Sequence, residues 1–131
     1  MKLLLNTQCF LWWFAEPERL NSNAIEQIVA EDNEVFFPVA SAWEIAIKVE
    51  IGKLPLPEPV DTYVASRMRL LGAKYLDIIL PHACKVATLP LLHHDPFDRI
   101  LVSQAQIGQM TLVTADEILA QYSIDLLWAK A

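Results

Sequence analysis

Oxygen-bearing side chains stand at several points where a short apolar run gives way to a helical pattern. Asn6 and Asp116 follow two such runs, and Glu44 and Asp98 fall in the first turns of two predicted helices. Carboxylate and amide oxygens are the hard ligands that Mg²⁺ and Mn²⁺ prefer in proteins. If folding brings these side chains together, they form a divalent-cation site.

A divalent ion in such a site would support hydrolysis of a phosphodiester. It would orient the scissile phosphate, lower the pKa of a bound water and stabilise charge on the leaving oxygen. A neighbouring carboxylate would help to deprotonate that water. The sequence contains no GxGxxG or GxxxxGK[ST] loop to hold a nucleotide phosphate, so the chemistry must come from side chains.

Each acidic residue also has a local structural explanation. Ser41 and Glu44 have the spacing of a capping box, and Lys48 lies one turn after Glu44, where an ion pair would form. Asp98 would complement a helix dipole, and Asp116 could cap the short helix that follows it. Capping and metal binding are compatible, because helix N-termini partly offset repulsion between neighbouring carboxylates.

Short apolar segments alternate with helical patterns and predict an α/β fold with a mainly parallel sheet flanked by helices. The predicted strands are residues 2–5, 35–37, 75–80, 111–113 and 124–127. The predicted helices are residues 9–15, 24–29, 41–51, 60–71 and 96–107, with another opened by Pro81 and glycines 52, 72 and 108 at helix ends. Ligands bind at the carboxyl ends of strands in such sheets, which is where the oxygen-bearing side chains fall.

Length and charge limit the number of domains and the kind of surface that the chain can have. The chain has 131 residues, of which 54% are hydrophobic, so residues 1–131 are expected to form one domain with its own core. Its 16 Asp and Glu against 10 Lys and Arg argue against a broad basic surface for nucleic acid. A local phosphate site remains compatible with this balance, because a bound divalent cation would reverse the local charge.

Cysteine spacing and apolar run lengths predict where the protein resides. Cys9 and Cys84 are far apart and lack metal-binding spacing, so both are expected to be buried, reduced thiols. No apolar run approaches the roughly 18 residues of a membrane helix, and the opening run is too short for a signal peptide. The protein is therefore expected in the cytoplasm, without membrane partners.

Four segments resemble PIN-domain proteins of the VapC toxin type, in the same order and across nearly the whole chain. They are KLLLNTQCFLWW, ASAWEIAIKVEIGKLPLP, HHDPFDRILVSQA and TLVTAD. The resemblance implies a three-layer Rossmann-like PIN fold and a ribonuclease that depends on Mg²⁺ or Mn²⁺. It also implies a homodimer inhibited by a cognate antitoxin protein. By position, Glu44, Asp98 and Asp116 match the catalytic, metal-binding acids of the family.

The first of these segments departs from the family pattern. Asn6 stands where the family has Asp, and Gln8 stands where close relatives often carry His, while Thr7 keeps the middle of the motif. An Asn carbonyl oxygen can ligate a hard cation, but it is neutral and cannot accept a proton as a carboxylate does. This predicts a weakened or silent nuclease. Natural drift and an engineered exchange would both produce Asn6, and the second departure at Gln8 favours drift.

Several polar residues near the predicted site are candidates for substrate contact. His93, His94 and Arg99 could reach a phosphate from the rim, although a solvated loop and a surface arginine explain them equally well. Thr7 and Thr114 complete the predicted substrate contacts.

Aromatic residues offer a second type of contact. Trp12, Trp13 and Phe14 are consecutive, so a helix cannot turn all of them toward one core, and at least one is expected to be exposed. An exposed aromatic would suit an antitoxin or dimer interface, whereas core packing of two of them is the alternative. Trp43 and Trp128 are predicted to lie in the core.

The leading functional hypothesis is an endoribonuclease toxin whose activity a partner protein masks. A second is a catalytically silent PIN-domain binding module that sequesters an antitoxin or another partner chain, and Asn6 is the residue that separates the two. A third, a phosphate-accepting signalling receiver, ranks lower. The adjacent acidic pair expected after its first strand is missing, and so is a lysine after a late strand.

Overall fold

Five short strands form a single parallel sheet in a computed structural model that describes all 131 residues. The strands are β1 (Lys2–Leu5), β2 (Glu34–Pro38), β3 (Lys74–Leu76), β4 (Thr111–Thr114) and β5 (Asp125–Trp128). They lie in the order β3-β2-β1-β4-β5, and every neighbouring pair is parallel. The predicted α/β fold with a parallel sheet is confirmed.

Six α-helices connect these strands or cover the sheet. They are α1 (Thr7–Ala15), α2 (Ser22–Val29), α3 (Val39–Glu50), α4 (Val60–Leu71), α5 (Leu80–Lys85) and α6 (Pro96–Gly108). Short 3₁₀ turns occupy Pro17–Arg19, Val86–Thr88 and Glu117–Gln121. None of the helices is both long and apolar enough to cross a membrane.

The central strand β1 has apolar side chains on both faces, which produces two cores. Leu3 and Leu5 pack with α1, α2 and α4 on one face, and Leu4 packs with α6 on the other. All three leucines are buried. A continuous apolar run is what a central parallel strand requires, because helices cover it from both sides. The sheet and its two helical layers therefore make the predicted three-layer arrangement.

The edge strand β3 is shorter than predicted, and the reason lies in its neighbour. It pairs with β2 over only three positions, ending where Pro38 faces Leu76. Beyond Pro38 the chain turns directly into α3, so residues 77–80 have no strand beside them to bond with. The prediction of a strand over 75–80 is wrong for that reason, and α5 begins within the same stretch.

Two of the three predicted glycine stops are confirmed by backbone angles. Gly52 and Gly72 have φ of 75° and 69°, the left-handed conformation that ends helices. Gly108 is instead the last residue of α6, where an added Cβ would lie 2.9 Å from the Met110 side chain. The left-handed residue that ends α6 is Gln109, with φ 52°.

The two cysteines differ in environment, although both are free thiols. Cys9 is buried, as predicted, and its burial raises the pKa of the thiol to about 12, which makes it a poor nucleophile. Cys84 is exposed, so the prediction of a buried thiol is wrong there.

The left-handed conformation of Gln109 predicts a stabilising substitution. Gln109→Gly removes the Cβ strain of this conformation and should raise the free energy of unfolding by about 0.5–1 kcal/mol, measured by chemical denaturation. Gly72→Ala, at the equivalent position after α4, should lower it by a similar amount. Equal unfolding midpoints for Gln109→Gly and the wild type would contradict the expectation.

Candidate active site

A cavity of about 500 Å³ opens at the carboxyl edge of the sheet, between β1, β4 and the first turns of α1 and α6. The four predicted metal ligands all line it: Asn6, Glu44, Asp98 and Asp116. Their positions in sequence span more than a hundred residues. The parallel register brings them together, because the strands that precede three of these junctions end at the same edge.

Asn6 is buried and serves as the N-cap of α1. Its Oδ1 accepts a hydrogen bond of 2.9 Å from the backbone N–H of Gln8, and its own N–H donates to Val113 across the strand pair at 3.0 Å. An Asn or Asp can make this cap equally well. The Nδ2 group makes no hydrogen bond within the chain, so the amide adds a donor where a carboxylate would add an acceptor oxygen.

Glu44 lies in the second turn of α3, held from two sides. Its Oε1 accepts a hydrogen bond of 2.7 Å from the Thr7 hydroxyl, and its Oε2 pairs with Lys48 Nζ at 2.9 Å. The ion pair was predicted, but the capping-box explanation is wrong. Because α3 begins at Val39 rather than at the predicted residue 41, Glu44 is too far along the helix to cap it.

The Thr7 hydroxyl makes two hydrogen bonds within the protein. It lies 2.8 Å from Ser41 Oγ as well as 2.7 Å from Glu44, and both hydroxyl-bearing residues are buried. A carboxylate only accepts, so Thr7 donates its single proton to Glu44 and accepts from Ser41. Thr7 therefore positions a carboxylate, and because it also lines the cavity, its predicted contact with substrate stays a prediction.

Asp98 lies in the first turn of α6, which Asp95 caps by accepting from the N–H groups of Phe97 and Asp98 at 2.9 and 3.2 Å. Burial raises the pKa of the Asp98 carboxyl to about 6, and the charges of Asp95 and Asp116 add to the rise. A hydrogen bond from His93, with Nε2 3.3 Å from Oδ2, opposes it. The Asp98 carboxyl therefore holds its proton more tightly than an exposed Asp does, mainly because it is buried.

Asp116 begins the 3₁₀ turn after β4. Its Oδ1 accepts from the N–H of Ile118 at 3.1 Å, which confirms the predicted capping role. Its own N–H donates to the hydroxyl of Thr114 at 3.1 Å. Thr114 is fully buried and does not line the cavity. It shapes the turn that presents Asp116, which corrects the prediction that it contacts substrate.

Arg99 is also behind the cavity rather than in its wall. The residue is only 8% exposed, and its guanidinium donates to the carbonyl oxygens of Pro90 and Val86 and to the Tyr122 hydroxyl, at 2.9, 3.2 and 3.0 Å. A guanidinium that is buried and bonded in this way is not placed to bind phosphate. The prediction of a substrate contact by Arg99 is therefore wrong.

Two lysines in the cavity wall, Lys48 and Lys130, were not predicted from the sequence as phosphate contacts. Lys48 had one signal, its helical spacing from Glu44, which was interpreted as an ion pair only. Lys130 comes from the last residues of the chain, and no local pattern connects it with the other site residues. They are the only Lys or Arg side chains that line the cavity, in a chain of net charge −6.

The tryptophans are arranged differently from the prediction. Trp43 was predicted in the core but is 62% exposed, packing edge-on against Phe97 with ring centroids 5.2 Å apart. Trp128 is only partly buried and lines the cavity, as Trp12 does. Trp12, Trp13 and Phe14 are all partly buried against the core, so none of the three is fully exposed.

The donor set fits a hard divalent cation in its chemistry. Three carboxylates and an amide oxygen line one cavity, and oxygen ligands of this kind are those that a hard divalent cation takes. As they stand, no three His, Cys, Asp or Glu side chains lie close enough together to hold an ion. Glu44 and Asp116 accept bonds from local partners, so binding would require their side chains to turn toward the cavity.

The PIN domain family model matches residues 3–125 of this chain. The chain therefore belongs to the PIN domain family. It is 30% identical over 125 residues to Ribonuclease VapC22 of Mycobacterium tuberculosis, covering 92% of this chain and 91% of that protein. The predicted resemblance to VapC-type proteins is confirmed.

Two further comparisons agree with this assignment. Ribonuclease VapC16 of Mycobacterium tuberculosis is 41% identical over 68 residues, which is 49% of this chain and 48% of that protein. The crystal structure of VapBC2 from Rickettsia felis, bound to a DNA fragment from their promoter, shares the fold with a TM-score of 0.73 at 15% identity. That match covers 99% of this chain and 100% of the other.

The raised pKa of Asp98 predicts how the metal-free protein responds to pH. The folded state binds the proton of the Asp98 carboxyl more tightly than the unfolded state does. Ionisation of Asp98 therefore costs stability as the pH rises from about 4 through 6. Asp98→Asn removes that cost. At pH values above 7 and in EDTA, the Tm of Asp98→Asn should exceed that of wild type by roughly 5 °C. This difference in Tm should vanish toward pH 4.

Asp125→Asn provides the matched control, because Asp125 is an exposed carboxylate without an ion pair. It should leave the Tm nearly unchanged at both pH values. A difference between Asp98→Asn and wild type that stays the same from pH 4 to pH 8 would show that the charge of Asp98 is not the cause.

Proposed function

We propose that residues 1–131 form one cytoplasmic domain, an endoribonuclease toxin of a VapBC-type pair that depends on Mg²⁺ or Mn²⁺ and is weakened by Asn6. The observation that carries the proposal is the meeting of Glu44, Asp98 and Asp116 in one cavity. The relation to two proteins named as VapC ribonucleases supports RNA as the substrate.

In this proposal the metal would be held by the carboxylates of Glu44, Asp98 and Asp116 together with Oδ1 of Asn6. The ion would supply a Lewis acid that neutralises charge on the phosphate and lowers the pKa of a bound water. Before metal binds, burial and, to a smaller extent, the charges of Asp95 and Asp116 raise the pKa of Asp98. A carboxylate of this group would help to deprotonate the water.

The other cavity residues orient these acids and attract the substrate. Thr7 and Ser41 hold Glu44 in place from the buried side. Lys48 offsets part of its charge from the open side, and Lys130 lines another part of the wall. Because the chain as a whole is acidic, these two lysines would supply the local attraction for an RNA phosphate.

Asn6 weakens the site in two ways. The amide leaves the pocket one negative charge short, and its oxygen already accepts the cap bond from Gln8. Its Nδ2 group can only donate, so it cannot replace the second oxygen of a carboxylate toward a cation. Fold stability does not require the amide, because Asp is an equally good N-cap.

The protein Asn6→Asp should therefore cut RNA at least tenfold faster than wild type in Mg²⁺ or Mn²⁺. A tenfold change corresponds to about 1.4 kcal/mol in the barrier, a modest share of what a correctly placed metal ligand contributes. Initial rates on total cellular RNA, followed on denaturing gels, measure the effect. EDTA should abolish cleavage by both proteins.

The double variant Asn6→Asp with Asp98→Asn is the matched control. It has as many carboxylates in the cavity as wild type, but one of them lies at position 6 instead of position 98. Its activity should therefore not exceed that of wild type. If neither wild type nor Asn6→Asp cuts any RNA in either metal, the nuclease proposal fails.

A second candidate function is a catalytically silent PIN-domain module that sequesters an antitoxin or another partner chain. Two observations favour it, namely the donor group of Asn6 in the cavity and the lack of three acidic side chains within reach of one ion. The same surfaces would serve both functions, so metal binding separates them.

Calorimetric titration with Mn²⁺ distinguishes the two candidates. The ribonuclease proposal expects measurable heat for wild type, tighter binding for Asn6→Asp, and loss of binding for Asp98→Ala, because each change alters the charge of the cavity. Negligible heat from all three proteins would favour the silent module.

A partner chain is part of either candidate function. Large apolar side chains remain exposed on the surface, among them Trp43, Leu80 and Leu91, of which Trp43 lies next to Glu44 in sequence. Exposed apolar surface of this kind suits burial by another protein chain. The structural relative VapBC2 supports an antitoxin as that partner. The proposal also includes a second copy of this chain as a partner.

A further inference from the structure

A chain of three hydrogen bonds runs from the buried Arg99 to Asp98. Arg99 donates to the Tyr122 hydroxyl at 3.0 Å, this hydroxyl lies 2.7 Å from Nδ1 of His93, and Nε2 of His93 lies 3.3 Å from Asp98 Oδ2. Arg99 and Tyr122 are buried, with exposures of 8% and 4%. The sequence predicts for His93 and Arg99 either contact with substrate at the rim or a solvated loop and a surface arginine.

The direction of every bond in this chain follows from its fixed end. A guanidinium can only donate, so the Tyr122 oxygen accepts from Arg99. The hydroxyl proton has one acceptor within reach, Nδ1 of His93. A neutral imidazole that accepts at Nδ1 carries its proton on Nε2, and that N–H points to the Asp98 carboxylate.

We propose that His93 is a positioning residue for Asp98, held as the Nε2–H tautomer by Tyr122 and Arg99, and that it orients this carboxylate for a divalent cation. The inference rests on the proposed function. With Oδ2 bonded to His93, the other oxygen of Asp98 makes no hydrogen bond within the chain and remains available to a ligand. Outer residues that orient a ligating group in this way raise metal affinity.

Neighbouring residues hold the ring of His93 in the orientation that the chain of three hydrogen bonds requires. This chain of hydrogen bonds from Arg99 to Asp98 is called the relay. The ring of His93 packs edge-on against that of Tyr122, with centroids 5.5 Å apart. Arg99 also binds the carbonyl oxygens of Val86 and Pro90, so the loop that leads into His93 is attached to α6. The neighbouring His94 is exposed and makes no side-chain hydrogen bond, which sets the two adjacent histidines apart.

Arg99 is buried, and its part in the relay gives this buried arginine a role. A buried guanidinium needs acceptors for its N–H groups, and two carbonyl oxygens and one hydroxyl provide them. Because Arg99 follows Asp98 directly on α6, the permanent cation polarises the relay that ends at the neighbouring carboxylate. Both ends of the chain of bonds are therefore fixed by one helix.

The experiment combines tautomer detection with metal affinity in the full-length protein. Histidine labelled with ¹⁵N should show His93 protonated at Nε2 and unprotonated at Nδ1 in the metal-free wild type. Tyr122→Phe removes one hydroxyl, so it should abolish this preference and weaken Mn²⁺ binding on the order of 10-fold by calorimetry. Tyr75→Phe, at an exposed tyrosine, should change neither readout.

Substitutions of the histidine itself separate positioning from packing. His93→Gln keeps an N–H donor near Asp98 and should retain more Mn²⁺ affinity than His93→Leu, which fills the space without a donor. His94→Gln controls for loss of a histidine in the same loop and should bind Mn²⁺ as wild type does. Equal affinities for His93→Gln and His93→Leu would overturn the positioning role.

Failure of this inference is distinguishable from failure of the proposed function. A wild type that shows the Nε2–H tautomer but binds no Mn²⁺ would overturn the metal site, and with it any role of His93 toward a cation. A wild type that binds Mn²⁺ while His93 carries its proton on Nδ1, or while Tyr122→Phe binds equally tightly, would overturn the relay alone.

Discussion

The placement of β1 between β2 and β4 is the constraint on which the site depends. Parallel pairing puts the carboxyl ends of all three strands at one edge, so the chain leaves the sheet there each time. The bond from the Asn6 N–H to Val113 extends this pairing into the first residue of the site. Burial of Leu3, Leu4 and Leu5 on both faces keeps β1 central.

Crowding several carboxylates at that edge costs stability, and the fold offsets the cost locally. Each acid accepts bonds from a different source, Glu44 from a hydroxyl and a lysine, Asp98 from a histidine, and Asp116 from a backbone N–H. Burial is the largest cause of the raised pKa of Asp98, and the charges of Asp95 and Asp116 contribute to it. The divalent cation of the proposed function would complement the charge of such a cavity.

Sequence patterns predicted the elements well wherever local interactions decide them. The helix over 60–71 and its glycine stop were predicted at the observed residues, because an amphipathic run followed by Gly72 is a local signal. The edge strand was predicted too long, since its length depends on where β2 ends at Pro38. Trp43 was placed in the core on hydrophobicity alone, although α3 turns it toward solvent beside Phe97.

By itself, the sequence determined the alternation of strands and helices, the residues at the junctions and the hard-oxygen character of the site. Only the tertiary structure decided what each functional side chain bonds to. Thr7 and Glu44 are 37 positions apart, and His93 and Tyr122 are 29 apart, so no helical or strand period connects them. Their hydrogen bonds exist because separate elements pack together, and periodicity within a single element carries no information about that packing.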